Sequence, residues 1–163
     1  IAAFETIRDI PYRIGNRQTD ATCKTKVILL GNILTKSGLK CRVARCKFNL
    51  AALKPPQYVL HGLNLRQLVL PHTFMQVFIP ETKHWVNIDP TWDIGLKNIL
   101  PIAHWDGIHH TKLAINPLPH TLKLPKKKGK HLTPFDLNHR NIKKLTPFHT
   151  NLNSWLENTR KST

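Results

Sequence analysis

Residues 73–89 constrain the fold more than any other stretch. Thr73-Phe74-Met75-Gln76-Val77-Phe78-Ile79 leads into Pro80-Glu81-Thr82-Lys83, and then into His84-Trp85-Val86-Asn87-Ile88-Asp89. Two runs rich in β-branched and aromatic residues around a short polar breaker predict an antiparallel hairpin. Apolar groups fall on both faces of each run, which predicts strands central in a sheet and covered on both sides. Pro90 cannot donate to a strand ladder and ends the second run. At 163 residues, the chain can bury a core around such a sheet without metal or disulfide staples.

One helix is marked ahead of the hairpin. Thr19, Asp20 and Thr22 offer N-cap side chains. From 24 to 37, Val27, Leu30, Ile33 and Leu34 recur at helical spacing on one predicted apolar face. Gly38 supplies the stop. Residues 39–50 then read as a strand, and Pro55-Pro56 breaks the chain. A helix followed by antiparallel strands predicts an α+β domain, the helix packed on the sheet. This body spans residues 1–119. Residues 120–163 form a basic, Pro-containing C-terminal extension, packed on the core or trailing from it, with short helices expected at 138–145 and 152–158. Trp155 is its expected anchor.

The net charge of +16 invites a polyanionic partner. The charge is not confined to one arm. Residues 1–120 carry fifteen Lys or Arg against seven carboxylates, and residues 121–163 carry ten against two, a net of +8 in each part. The Lys126-Lys127-Lys128 run has no interleaved aromatic residues, so specific nucleic-acid binding is not expected. No apolar run approaches the roughly 20 residues of a membrane-spanning helix. The three cysteines, Cys23, Cys41 and Cys46, form no disulfide framework. Cys41 and Cys46 are five apart on one strand and so face opposite ways. No His-Glu-x-x-His or Cys-x-x-Cys pattern occurs, so neither metal nor cofactor is expected. Reduced thiols suggest the cytoplasm. The opening on Ile1 rather than Met leaves export open.

The chemistry centres on Cys23. It falls in the first turn of the predicted helix, beside Lys24 and Lys26, where unpaired backbone N–H groups favour a thiolate. A hairpin with its tight loop at Pro80-Glu81 sets His72 opposite Asp89. Directly opposed side chains stand about 4.5–5.5 Å apart at Cβ, within reach for an imidazole–carboxylate bond. Such a bond fixes the ring's tautomer and leaves its other nitrogen for a thiol. The same spacing also suits a solvated histidine, a turn-forming aspartate and a structural cysteine.

The order Cys, His, Asp, with a helix on the first and a hairpin on the others, resembles the transglutaminase-like superfamily of papain-like thiol enzymes. Thr22-Cys23-Lys24-Thr25-Lys26-Val27-Ile28-Leu29-Leu30, with Ser37-Gly38-Leu39 and Arg42, is similar to that family's nucleophile helix and the strand after it. His72 opens a strand as the family's base does. Trp85-Val86-Asn87-Ile88-Asp89-Pro90-Thr91-Trp92-Asp93 resembles the block around its third member. Arg8-Asp9-Ile10-Pro11-Tyr12-Arg13-Ile14 looks like the entry segment of bacterial members, and Trp105-Asp106-Gly107 with Ala114-Ile115-Asn116-Pro117 fits an uncharacterised bacterial branch. The resemblance covers residues 4–119. Many members have Gly where this chain has Thr22, and the Arg-Gly-Gly run of arylamine acetyltransferases is absent.

The resemblance implies a papain-like core, with Cys23 as nucleophile, His72 as base then acid, and Asp89 as orienting carboxylate. It implies acyl transfer from an amide through an acyl-thioester, ending in hydrolysis (peptidase or amidase) or in transamidation. The substrate would be a protein or peptide amide, acidic if it matches the basic surface. Asp93 is a second carboxylate, with a turn or surface role expected. Gln18 is the candidate second oxyanion donor beside the Cys23 N–H. Trp92, His104 and Trp105 are candidate walls of the cleft. Two other classes stay open: a non-catalytic binding module on the same fold, and a basic nucleic-acid-binding protein.

Overall fold

The computed structural model describes residues 1–15, 19–124 and 146–162. Helix α1 (Ala2–Arg8) and helix α2 (Cys23–Lys36) precede strand β1 (Cys41–Asn49), a short helix α3 (Gln57–Leu60), strand β2 (Val69–Ile79) and strand β3 (His84–Ile88). Helix α4 (Pro147–Lys161) follows. The strands form one antiparallel sheet in the order β1-β2-β3. The fold is α+β.

The predicted hairpin forms, with two differences. Its loop is the four residues 80–83, because Ile79 pairs with His84 and Met75 with Ile88. And β3 is an edge of the described sheet rather than a central strand. Its aromatic residue does not enter the core. Trp85 is half-buried, meets Phe78 edge-on at 5.6 Å, and carries the Arg42 guanidinium 4.1 Å above its ring. These side chains cover one another, so the apolar outer face needs no further layer.

Each face of the sheet has its own core. On one, Met75, Val77, Ile79, Val86 and Ile88 pack against Val27, Ile28, Leu30 and Leu34 of α2 and Phe4 and Ile7 of α1. Ile33, expected on that apolar face, is 42 % exposed. At about 100° per residue it sits at the rim of the Val27–Leu34 stripe. Lys26, two turns earlier on the same side of the helix, is buried. Gly38, at φ 88, ends the helix in the left-handed region that glycine enters freely.

On the other face, Ala44, Cys46, Phe48 and Phe74 pack against Trp92, Leu96, Leu100, Ala114 and Ile115, together with Leu152, Trp155 and Leu156 of α4. Cys41 and Cys46 thus belong to different cores. Helix α4 is longer than the predicted 152–158 segment. Pro147 stands in its first turn and Thr146 caps it, accepting from the His149 N–H while His149 Nδ1 accepts from the Thr146 N–H. The helix expected at 138–145 lies outside the described residues. Lys123 pairs with Arg45 through two backbone hydrogen bonds, so the described part of the extension is built onto the sheet and its core.

Candidate active site

Helix α2 begins at Cys23. Thr22 occupies the N-cap but its side chain does not cap. Its hydroxyl donates to Asp20 Oδ2 at 2.9 Å, as does Thr25 Oγ1 at 2.5 Å. Asp20 also accepts from the Gly15 N–H. The carboxylate therefore organises the entry to the helix. Ala21 and Arg13 exchange two backbone hydrogen bonds, which lay residues 12–14 alongside Cys23.

His72 lies on β2, on the face away from α2, in line with Phe74. The observed register places Asp89 one step beyond β3, diagonal to His72 rather than directly opposite. A shift of two residues keeps every side chain on its face, and the diagonal is still within reach. His72 Nε2 donates to Asp89 Oδ2 at 2.7 Å, with both side chains buried. Asp89 Oδ2 also accepts from the Ala114 N–H at 2.8 Å, and Oδ1 from Thr91 Oγ1 at 2.5 Å. The Asp89 N–H donates to Thr111 Oγ1. With Nε2 so engaged, Nδ1 is the ring nitrogen left for a thiol.

That thiol is at hand. β3 ends at Ile88, opposite Met75, so the β2 segment holding His72 has no β3 partner. The N-terminus of α2 comes up at this open corner. Lys26 anchors it there, its Nζ donating to the carbonyls of Arg8 at 2.7 Å and Thr91 at 2.9 Å. Cys23 and His72 line one cavity of about 50 Å3. Burial alone would push the His72 imidazolium down. The Asp89 carboxylate, by charge and hydrogen bond, and the nearby Cys23 sulfur outweigh it and raise the pKa to about 10. Phe74 stacks on the ring and Phe48 meets it at right angles, their centroids each 6.2 Å away.

The expected cleft residues divide. Trp92 lines the cavity, with its indole N–H on the Ala114 carbonyl and its ring 4.7 Å from Tyr12. His104 and Trp105 do not. Trp105 is buried in the α1–α2 core against Phe4, and His104 is exposed with Nδ1 accepting from Arg8. Leu100 belongs to the core on the face of His72, whereas Ala103 and Trp105 belong to the core on the other face. Gln18 lies outside the described residues. Asp93 is buried, not a surface group. Arg160 of α4 grips it with two hydrogen bonds of 2.8 and 2.9 Å, and it accepts from the Tyr12 N–H.

Tyr12 was not singled out as a site residue by sequence reasoning, and Lys26 was read only as a positive charge near the thiol. Tyr12 lines the cavity, and burial together with the nearby Cys23 and Asp20 raises its pKa well above the ordinary value, so the phenol keeps its proton. Burial pushes Lys26 down to about 7, against the pull of Asp93, Asp9 and Asp89. Among the described residues no cluster of three or more His, Cys, Asp or Glu could hold a metal ion, and no helix is long and apolar enough to cross a membrane. No family model, curated protein or solved structure matches the chain.

Proposed function

We propose that the chain is a thiol-dependent acyl-transfer enzyme of transglutaminase-like, papain-like type, acting on amide bonds. The observation that carries this reading is the buried His72–Asp89 hydrogen bond with Cys23 in the same cavity. The Cys23 sulfur attacks the amide carbonyl carbon. The imidazolium of His72 gives its Nδ1 proton to the leaving amine as the C–N bond breaks, which leaves an acyl-thioester. Water or a second amine, deprotonated by His72, then attacks the thioester and frees the thiol. Asp89 holds the ring's orientation throughout. The oxyanion meets the Cys23 backbone N–H, and the Tyr12 phenol, which lines the same cavity, is the second donor among the described residues. Which nucleophile resolves the thioester decides between a peptidase or amidase and a transglutaminase.

The test is alkylation of each cysteine by iodoacetamide as a function of pH, resolved by mass spectrometry, in wild type and His72→Ala. Cys41 and Cys46 are internal controls, because burial raises both thiols to about 11. At pH 6 Cys23 is expected to react at least about tenfold faster in wild type than in His72→Ala. Equal rates in the two proteins would remove the basis of the catalytic reading and leave the binding module in its place.

A further inference from the structure

On the acyl-transfer reading of Cys23, we propose that the substrate is a peptide segment carrying acidic side chains beside apolar ones, held in the groove next to the catalytic cavity. The cavity at Cys23, about 50 Å3, has room for little more than a water or two at roughly 30 Å3 each. The bulk of any amide substrate must therefore lie outside it. A groove of about 730 Å3 adjoins it, and Phe48, Leu53 and Ile115 line both. Phe48 also presents its ring at right angles to His72. A chain lying in the groove thus packs against residues that also wall the cavity of the thiol.

The chemistry of the groove selects its occupant. Its floor is apolar, with Leu100, Leu113 and Trp155 among its residues. Lys54, Lys97 and Lys112 line it from three separate segments, all three exposed. No carboxylate lines the groove, and among the described residues none of these lysines forms an ion pair. Lys54 also stands in the left-handed backbone region, at φ 53, where glycine would sit without strain. Three separated cations around an apolar floor suit several carboxylates spaced along a chain better than one head group. Asn116, also lining the groove, can pair with a peptide backbone. A nucleic-acid strand would want open aromatic faces for stacking, whereas the one tryptophan here, Trp155, is 8 % exposed.

The experiment uses the full chain with Cys23→Ala, so that binding is read without turnover. The probe is a short fluorescein-labelled peptide built on the repeat Glu-Leu-Gln-Glu, followed by fluorescence anisotropy. It is expected to bind at least about tenfold more tightly than the same peptide with Lys for Glu or with Gly for Leu. Combining Lys54→Glu, Lys97→Glu and Lys112→Glu is expected to weaken binding by about tenfold or more. Combining Lys36→Glu, Lys40→Glu and Lys83→Glu, at the hairpin end of the sheet, is expected to weaken it by less than about threefold. Equal losses from the two triple variants, or displacement of the peptide by a single-stranded poly-dT oligonucleotide at matched charge concentration, would reduce the effect to general polyanion attraction and overturn the proposal. So would failure of the peptide to bind. That failure leaves the His72 dependence of Cys23 alkylation untouched, so the substrate assignment and the acyl-transfer reading fail separately.

Discussion

Asp89 accepts from three donors at once, the His72 ring, the Ala114 N–H and the Thr91 hydroxyl, at zero exposure. Its charge is what keeps a buried imidazole protonated. Asp89→Asn preserves the shape and removes the charge while burial persists. The His72 pKa is then expected to drop from about 10 to below its ordinary 6.5. An NMR titration of the ring measures this directly, and acyl transfer should fall on the order of 10⁴-fold. A ring still titrating near 10 in the Asn variant would show that Asp89 is not the cause. The pair was legible in the sequence because strand parity alone decides the shared face. The partner within that face was not, because it depends on loop length, and the four-residue loop turned a direct pair into a diagonal one. Tyr12 gave no signal of its own. It reaches Cys23 only through the Arg13–Ala21 pairing, a contact between loops without periodic pattern. Lys26 was read as a positive charge near the thiol, and its burial was not foreseen, since lysines are seldom fully buried.

Helix α4 shows where element boundaries escape a linear reading. The helix begins five residues ahead of the expected 152–158 segment, at Pro147, because proline is tolerated in a first helical turn, where its missing N–H would lack a partner anyway. The apolar set Leu152, Trp155 and Leu156, spaced three and one, was legible, and so was the anchoring role of Trp155. What the helix grips was not. Arg160 holds Asp93 bidentately and donates to the Tyr12 carbonyl, while Asn153 accepts from the Ile14 N–H and donates to the Ile14 carbonyl. These bonds tie residues 12–14, one wall of the cavity that holds Cys23 and His72, to the C-terminal helix. Arg160→Met leaves Asp93 buried without its cation and is expected to cost about 2–4 kcal/mol of stability, read from the urea midpoint. Adding Asp93→Asn should recover part of that loss. In Arg160→Met the Cys23 alkylation rate should also change, because Tyr12 loses a support. A stability loss with no recovery in the double variant would show that Arg160 acts through its aliphatic packing instead.

Across the whole molecule, two buried bases that both feel the Asp89 charge set the response to pH. His72 has its pKa raised, to about 10. Its contribution to stability is complete below the unfolded value near 6.5 and is lost as pH rises through 10. Lys26 has its pKa lowered, to about 7. Below 7 the folded protein bears the full burden of a buried ammonium. Between 7 and 10.5 the unfolded chain holds the proton that the folded one has released, so stability rises. Over pH 7–9 the two slopes oppose each other at about 1.4 kcal/mol per pH unit apiece. Wild-type stability should therefore be nearly flat across that window. Cys41 and Cys46, raised to about 11 by burial, add a falling contribution only above about pH 9. Lys26→Met removes the rising slope and leaves the carbonyls of Arg8 and Thr91 without their donor. Unfolding in urea should then show stability falling by roughly 2–3 kcal/mol from pH 7 to pH 9. His72→Gln should show the reverse, a rise over the same range, because Lys26 alone remains. A profile in Lys26→Met as flat as wild type would mean that the lysine is not the balancing base. The balance matters to the proposed chemistry, because a thiol–imidazolium pair is useful at neutral pH only if the fold around it does not loosen as that pair titrates.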